Sequence, residues 1–164
     1  MNIIFDLDGT LADCEHRLRF IKGSGREGSA GKKDWVSFHE ECVNDPPITP
    51  VVSVLEALWD QYHHIMIFSG RNESVRTKTL WWLAQYINPS TLPDTMTHED
   101  RMRLWDTRLT MRPQNDRRPD HEMKEEWLLA LPKFPDLVFD DRASVVSMWR
   151  KHGIRCCQVA PGNF

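Results

Sequence analysis

The sequence has no excess of positive charge and no apolar run long enough to cross a membrane. Its 164 residues carry a formal net charge of -3. Binding along a long stretch of nucleic acid needs a basic face, so this charge argues against such binding, but not against binding of a short end or a mononucleotide. The opening residues also lack a signal-peptide pattern, because charge begins at Asp6. We therefore expect a cytoplasmic protein with no membrane partner.

The cysteines form no C-x-x-C pair and have no zinc spacing. Cys156 and Cys157 are adjacent, and a disulfide between neighbours is strained. Together with Cys14 and Cys42, they are expected to be reduced and mostly buried thiols.

Two glycine-rich patterns resemble nucleotide-binding loops but lack the required context. Residues 23–28 match G-x-G-x-x-G, yet they follow no predicted strand and open no clear helix. Near Gly31, Arg26 stands where a P-loop has its first glycine, and Lys33 stands where it has Ser or Thr. The patterns predict a loop over residues 22–33 and exclude an NTP-binding P-loop.

The alternation of apolar segments with helical patterns predicts an α/β fold. Strands are predicted at residues 2–7, 64–68, 109–111, 137–139 and 154–159. Helices are predicted at residues 13–21, from 34 onward, and at 49–62, 72–86, 121–131 and 143–152. This order favours a central parallel sheet with helices on both faces, a Rossmann-like three-layer sandwich. We expect one domain over residues 1–164, with a small helical cap insertion at about residues 14–45.

Two of these helices carry specific start signals. Asp34 is expected to be an N-cap. Thr49 and Pro50 are expected to cap and begin the helix over 49–62. The apolar face of that helix is predicted to hold Val51, Val54, Leu55 and Leu58.

Two aspartates follow the first predicted strand at once. Asp6 and Asp8 would project to the same side if the strand pleat continued. Like charges at this spacing are costly unless a cation neutralises them or one carries a proton. The arrangement therefore predicts a Mg²⁺ site with one nucleophilic carboxylate and one that transfers protons.

Polar residues also follow two other predicted strands. Ser69, Gly70 and Arg71 come after the second strand, where a hydroxyl and backbone N–H groups can hold phosphate oxygens. Asp140 and Asp141 close the strand over 137–139. This second acidic pair can complete a Mg²⁺ site that Asp6 begins.

In their order along the chain, these residues resemble the four motifs of the haloacid dehalogenase (HAD) phosphohydrolase superfamily. The motifs are Asp6-Leu7-Asp8-Gly9-Thr10, Ser69, Lys124 and Asp140-Asp141. Lys124 by itself would be interpreted as a solvated helix lysine, and only its place in this order gives it a role. The resemblance covers essentially the whole chain and implies a HAD-like fold.

A closer resemblance is to the phosphatase domain of bacteriophage polynucleotide kinase/phosphatases. It rests on Ser69-Gly70-Arg71, on Met123-Lys124-Glu125-Glu126 and, above all, on the tail over residues 140–164. Arg17, nine residues beyond Asp8, matches a functional arginine of that domain. No kinase half precedes Met1 in this sequence, so the end-healing role of the two-part enzymes does not follow from the resemblance.

The resemblance implies a role for each residue. Asp6 would form an aspartyl-phosphate, and Asp8 would protonate the leaving oxygen and then deprotonate water. Mg²⁺ would be held by Asp6, the Asp8 carbonyl and the Asp140/Asp141 pair, with no choice made between these last two. The phosphate or substrate would be bound by Ser69, Gly70, Arg71, Lys124 and Arg17.

The implied activity is that of a Mg²⁺-dependent phosphomonoesterase that removes 3′-phosphates from nucleic-acid ends. The alternative is a 5′-nucleotidase acting on free (deoxy)nucleoside monophosphates, which the weak basicity and the missing kinase half favour. Sugar or protein phosphates stay open as a further substrate class. The resemblance also places the chain in a bacterial or phage-infected cytoplasm, and nothing in the sequence fixes its oligomeric state.

Two features outside the motifs have open interpretations. Arg112 follows the predicted third strand and either contacts a second phosphate or a base, or lies on a solvated surface. Trp35 and Phe38 lie in the predicted cap and either belong to the core or stack on a base.

Overall fold

The computed structural model describes residues 1–22 and 33–162. The glycine-rich pattern at 23–28 and most of the loop predicted over 22–33 lie outside the described residues, as do Asn163 and Phe164. The strands are β1 (Asn2–Phe5), β2 (His64–Asn72), β3 (Leu109–Arg112), β4 (Leu137–Arg142) and β5 (Arg155–Gly162). The α-helices are α1 (Trp35–Glu40), α2 (Thr49–Asp60), α3 (Arg76–Tyr86), α4 (His98–Asp106), α5 (Asp120–Ala130) and α6 (Ala143–Lys151).

The strands form a single parallel sheet in the order β3-β2-β1-β4-β5. β1 lies in the centre, and the chain builds outward from it first on one side and then on the other. The carboxyl end of β1 is therefore the switch point at which open α/β sheets bind ligands. The predicted α/β architecture with a central parallel sheet is confirmed.

Helices cover both faces of this sheet because side chains along β1 alternate between the faces. Ile3 and Phe5 belong to a core that also holds Leu55 of α2 and Trp82 of α3. Ile4 belongs to a second core, which includes Trp149 of α6. The central strand is thus buried on both sides.

Helix α4 is the element that the sequence patterns did not predict. Trp105 is its one buried residue, so the apolar period of the helix is weak. A capping box fixes its start: the Asp100 backbone N–H donates to Thr97 Oγ1 at 3.1 Å, and the Thr97 N–H donates to Asp100 Oδ2 at 3.3 Å. This local signal, rather than periodicity, identifies the helix in the sequence.

The apolar face predicted for α2 is partly wrong. Val54 is 41% exposed, whereas Val52, which the prediction left out, is 5% exposed. Thr49 is the first helical residue, and the cap position belongs to Ile48. The run of valines offers two overlapping faces, and packing against the sheet selects the one that contains Val52 and Leu55. The predicted N-cap of α1 is confirmed, since the Ser37 N–H donates to Asp34 Oδ1 at 3.0 Å.

The segment predicted as a cap contributes residues to the carboxyl edge of the sheet. Its described parts contain a 3₁₀ helix at Glu15–Phe20, helix α1 and a second 3₁₀ helix at Glu41–Asn44. Arg17, Phe38 and Asp45 are buried. The bounds of a cap insertion at 14–45 stay a prediction.

All four cysteines are free thiols. Cys14, Cys42 and Cys156 are buried, and Cys157 is exposed. Among the helices of the described residues, none has the length and apolar character needed to cross a membrane.

The corrected face of α2 makes a direct prediction. Val52→Ala should lower the free energy of unfolding by about 1.5 kcal/mol, because two buried methyl-sized groups are lost. Val54→Ala, on the same helix, should change it by less than about 0.5 kcal/mol. Urea denaturation measures both, and equal effects would show that the face is assigned wrongly.

Candidate active site

The predicted catalytic residues lie at the carboxyl ends of three adjacent strands. Asp6 follows β1, and its backbone N–H donates to the Phe139 carbonyl of β4 at 2.9 Å. β2 and β4 run further than predicted, so Ser69, Asp140 and their neighbours lie inside strands. Both strands shift register where these residues lie, at Ser69/Asn72 and at Asp140/Arg142. Such irregularities re-aim side chains at the edge of a sheet.

Asp6, Asp140 and Asp141 form a buried group, here called the acidic triad. Each offers a carboxylate oxygen, and these oxygens lie within 4.8 Å of one another. Lys124 of α5 lies among them: its Nζ donates to Asp6 Oδ1 at 2.6 Å and to Asp140 Oδ2 at 2.9 Å. The triad thus has one lysine for three carboxylates, which leaves an excess of negative charge in a buried place.

The charges of this group shift its pKa values. Burial raises the pKa of Asp6 well above its ordinary value; Lys124 opposes the shift, and Asp140 and Asp141 add to it. Burial, followed by the charge of Asp140, raises the pKa of Asp141 to about 6. Burial alone would lower the pKa of Lys124, but Asp140 and Asp6 raise it above its ordinary value, so the ammonium stays charged.

Gly9 permits the close approach of the first loop to β4. Its φ of +87° lies in the left-handed region, which side chains with a Cβ rarely adopt. A Cβ at this position would lie 2.4 Å from Asp141 Oδ2. The glycine of the first motif is therefore required both by the turn and by the Asp141 carboxylate packed against it.

Asp8 belongs to a second group, the arginine cluster, which consists of Asp8, Arg17, Asp45 and Arg71. Asp8 Oδ1 accepts hydrogen bonds from Arg17 Nη2 and Arg71 Nε, both at 2.8 Å. Asp45 accepts from Arg17 Nε at 2.7 Å and, through Oδ2, from Arg17 Nη2 at 2.6 Å and Arg71 Nη2 at 2.7 Å. Two carboxylates and two guanidinium groups balance one another.

The arginine cluster leaves one donor for a ligand. Arg71 is fully buried, and its Nη1 has no hydrogen-bond partner among the described residues. Ser69 Oγ is also buried and accepts from the Arg71 backbone N–H at 3.2 Å. Burial would raise the pKa of Asp8, but Arg71 and Arg17 lower it below its ordinary range, so its carboxylate is ionised in this state.

A third set of charges surrounds Asp120 at the start of α5. Asp120 Oδ2 accepts from Arg142 Nη1 at 2.5 Å, and Asp120 Oδ1 pairs with Arg112 Nη2. A Cβ on Gly70 would lie 3.0 Å from Asp120 Oδ2, so Gly70 allows this carboxylate to approach β2. Arg112 also donates to backbone carbonyls of Gly70 and Arg118, at 3.2 and 2.7 Å. Arg112 thus bonds to Asp120 and to backbone carbonyls rather than to the triad. Its contact with a second phosphate or a base stays a prediction.

The structure therefore divides the predicted site residues into neighbouring groups. The first group is Asp6, Lys124, Asp140 and Asp141. The second is Asp8, Arg17 and Arg71, with Ser69 in contact with the Arg71 backbone. The third is Gly70 and Arg112, which lie at Asp120. Sequence reasoning missed Asp45 and Asp120. Asp45 precedes two prolines and Asp120 lies in a helix start rich in acids, so neither has a local pattern that separates it from an ordinary surface aspartate.

The family of the chain follows from comparison with known proteins. The model of the polynucleotide kinase PNKP phosphatase domain (HAD_PNKP) matches residues 1–164. The chain belongs to this family. It is therefore a HAD-type phosphatase domain, which confirms the resemblance to the HAD superfamily and to polynucleotide kinase phosphatase domains. A bacteriophage origin stays a prediction.

Solved structures agree with this assignment. A chain of the Pnkp1/Rnl/Hen1 RNA repair complex is 28% identical, with a TM-score of 0.69 over 99% of this chain and 43% of that chain. A second structure of the Pnkp1/Rnl/Hen1 complex gives 29% identity and a TM-score of 0.68, over 99% of this chain and 47% of that chain. The HAD-type domain thus spans less than half the length of these relatives.

A more distant structure shares the fold alone. The class C acid phosphatase from Bacillus anthracis with tungstate bound is 15% identical, with a TM-score of 0.55 over 90% of this chain and 52% of that chain. A sheet of this type therefore occurs in a hydrolase of very different sequence.

Asp45 gives the stability prediction of this site. Asp45→Asn should lower the free energy of unfolding by about 3–5 kcal/mol, because it leaves buried guanidinium charge uncompensated. Asp106→Asn removes an exposed partner of Arg76 and should cost less than about 1 kcal/mol. Guanidinium chloride denaturation tests the pair, and a small effect of Asp45→Asn would contradict the proposed charge balance.

Proposed function

We propose that this phosphatase domain is a Mg²⁺-dependent phosphomonoesterase that removes 3′-phosphates from nucleic-acid ends through an aspartyl-phosphate on Asp6. The observation that carries the proposal is the contact of Lys124 with both Asp6 and Asp140 inside the acidic triad. Through this contact, residues of three separate motifs meet at the carboxyl end of β1, the switch point of the sheet.

The triad fits a divalent cation. Three carboxylate oxygens within 4.8 Å, with one lysine beside them, leave about two negative charges that a divalent ion offsets. Bound there, Mg²⁺ would neutralise charge on the phosphoryl oxygens in the transition state. Asp140 already accepts from Lys124 and, at 3.1 Å, from the Arg142 backbone N–H. We therefore assign the more direct metal contact to Asp141, and Asp6 supplies the other carboxylate.

The first step transfers the phosphoryl group to the protein. An oxygen of Asp6 forms a bond to phosphorus, the bond between phosphorus and the ester oxygen breaks, and Asp8 donates a proton to that oxygen. Lys124 holds Asp6 in place and offsets charge on the transferring group. Arg71, with its unpartnered Nη1, and Ser69, whose Oγ contacts the Arg71 backbone N–H, would bind the phosphoryl oxygens.

Asp8 must carry a proton for this step, although the arginines keep it ionised in the free domain. A dianionic phosphate competes with Asp8 for Arg17 and Arg71, and this competition weakens the interactions that lower its pKa. In the second step, water attacks phosphorus, Asp8 accepts its proton, and the bond between phosphorus and Asp6 breaks.

The substrate class rests on the family and on the relatives. The family model is that of a polynucleotide kinase phosphatase domain, and the similar chains belong to RNA repair complexes. The net charge of -3 suits contact with a short end rather than a long track of nucleic acid.

Phosphate release from a 3′-phosphorylated oligonucleotide tests the proposal. Asp6→Asn should lower the turnover rate at least about a thousandfold, because the nucleophile is lost. Asp94→Asn, at an exposed position, is the matched control and should leave the rate unchanged. Faster turnover of 5′-deoxynucleoside monophosphates than of the 3′-phosphorylated oligonucleotide would contradict the substrate assignment and favour the nucleotidase alternative.

Metal binding should depend on pH. In the metal-free domain, the raised pKa values of Asp6 and Asp141 contribute stability that is complete below the ordinary carboxyl range and is lost as the pH rises through about 6 for Asp141. Mg²⁺ needs the ionised carboxylates, so it should raise the melting temperature more at about pH 7.5 than at about pH 5.

Differential scanning fluorimetry with and without Mg²⁺ measures this difference. Asp141→Asn should remove most of the Mg²⁺-dependent rise at the higher pH, and Asp94→Asn should retain it. An equal rise at both pH values in the unmodified domain would argue against cation binding by the triad.

A further inference from the structure

Helix α1 carries two neighbouring aromatic rings next to the arginine cluster, the exposed Trp35 and the half-buried His39. Trp35 is 47% exposed, although it is a large apolar side chain. Its ring lies 6.1 Å from that of His39, and the two planes differ by 27°. Phe38, the other aromatic residue of α1, is buried and therefore unavailable for a ligand.

Contacts on several sides fix α1 relative to the site. Arg17 Nη1 donates to the Phe38 carbonyl at 2.9 Å, and the Arg17 guanidinium carbon lies 4.4 Å from the centre of the Phe38 ring. The Trp35 ring meets the Phe38 ring edge to face at 5.6 Å. Lys78 of α3 donates to the Glu40 carbonyl at 3.2 Å, at the other end of the helix. A chain of contacts thus leads from Trp35 through Phe38 and Arg17 to Asp8.

His39 connects the exposed ring with the charges of the site. Its Nδ1 is buried and has no hydrogen-bond partner within the described part of the chain. Burial lowers the pKa of His39, while Asp8 acts against that shift and Arg17 and Arg71 add to it. The lowered pKa keeps the imidazole neutral at neutral pH.

We propose that Trp35, with His39 beside it, is a stacking platform for the nucleobase of the nucleotide whose phosphate enters the site. Every nucleobase has a π face, and stacking on an aromatic side chain tolerates any sequence. The ammonium of Lys33 lies 5.6 Å from the centre of the Trp35 ring, so it adds a positive charge beside the platform. This inference rests on the proposed function and adds to it a requirement for a base at the terminal position.

Two 3′-phosphorylated oligonucleotides test this platform. They are identical except that one ends in an ordinary nucleoside and the other in an abasic residue. Trp35→Leu, which keeps apolar bulk but removes the π face, should raise KM about tenfold for the base-bearing substrate and leave kcat nearly unchanged. It should leave KM for the abasic substrate unchanged, and Trp35→Phe should retain most of the wild-type preference.

Trp81→Leu is the matched control. Trp81 is 39% exposed and also pairs with a histidine, since its ring lies 5.7 Å from that of His98 on α4. This variant should behave as wild type with both substrates. Equal effects of Trp35→Leu on both substrates, or no effect on either, would overturn the platform while leaving the phosphatase activity in place. If the wild-type domain hydrolyses neither substrate, the proposed function is overturned, and the platform with it.

Discussion

The ion pair of Lys124 with Asp6 and Asp140 is the interaction on which the rest of the site depends. Three carboxylates within 4.8 Å repel one another, and burial makes that repulsion stronger than it would be in water. Lys124 reduces the repulsion and remains charged, because two of these carboxylates raise its pKa. The remaining negative charge is a reason to bind a divalent cation, so the same electrostatic excess that costs stability supports the proposed function.

The sheet explains how this crowding is maintained. β1 is central, its neighbours are β2 and β4, and two cores hold it from opposite faces. A strand packed in this way cannot withdraw Asp6 from Asp140 and Asp141 without exposing apolar side chains. The arginine cluster is built differently, since Arg17 and Asp45 come from the segment predicted as a cap. It balances its own charge, and it meets the triad through the short loop between Asp6 and Asp8.

Much of this arrangement follows from the sequence, but not all of it. Parallel strands bring their carboxyl ends to one edge of the sheet. The acids and the serine of the motifs lie at the ends of the apolar runs that predict these strands; they are Asp6, Asp8, Ser69, Asp140 and Asp141. Lys124 lies in a helix with several acids, so only the order of the motifs identifies it. Asp45 is recognisable only after folding, because its partners Arg17 and Arg71 are distant in sequence. Helix α4 and the buried face of α2 were decided by capping and by packing, which periodicity does not report.

The most direct test of the account is a crystal structure of the domain soaked with Mn²⁺, which scatters anomalously and prefers the same oxygen ligands as Mg²⁺. The account predicts an anomalous peak coordinated by Asp6 and Asp141, with Lys124 still in contact with Asp140. A structure in which these carboxylates lie apart, or in which the ion binds elsewhere and leaves the triad without metal, would contradict it.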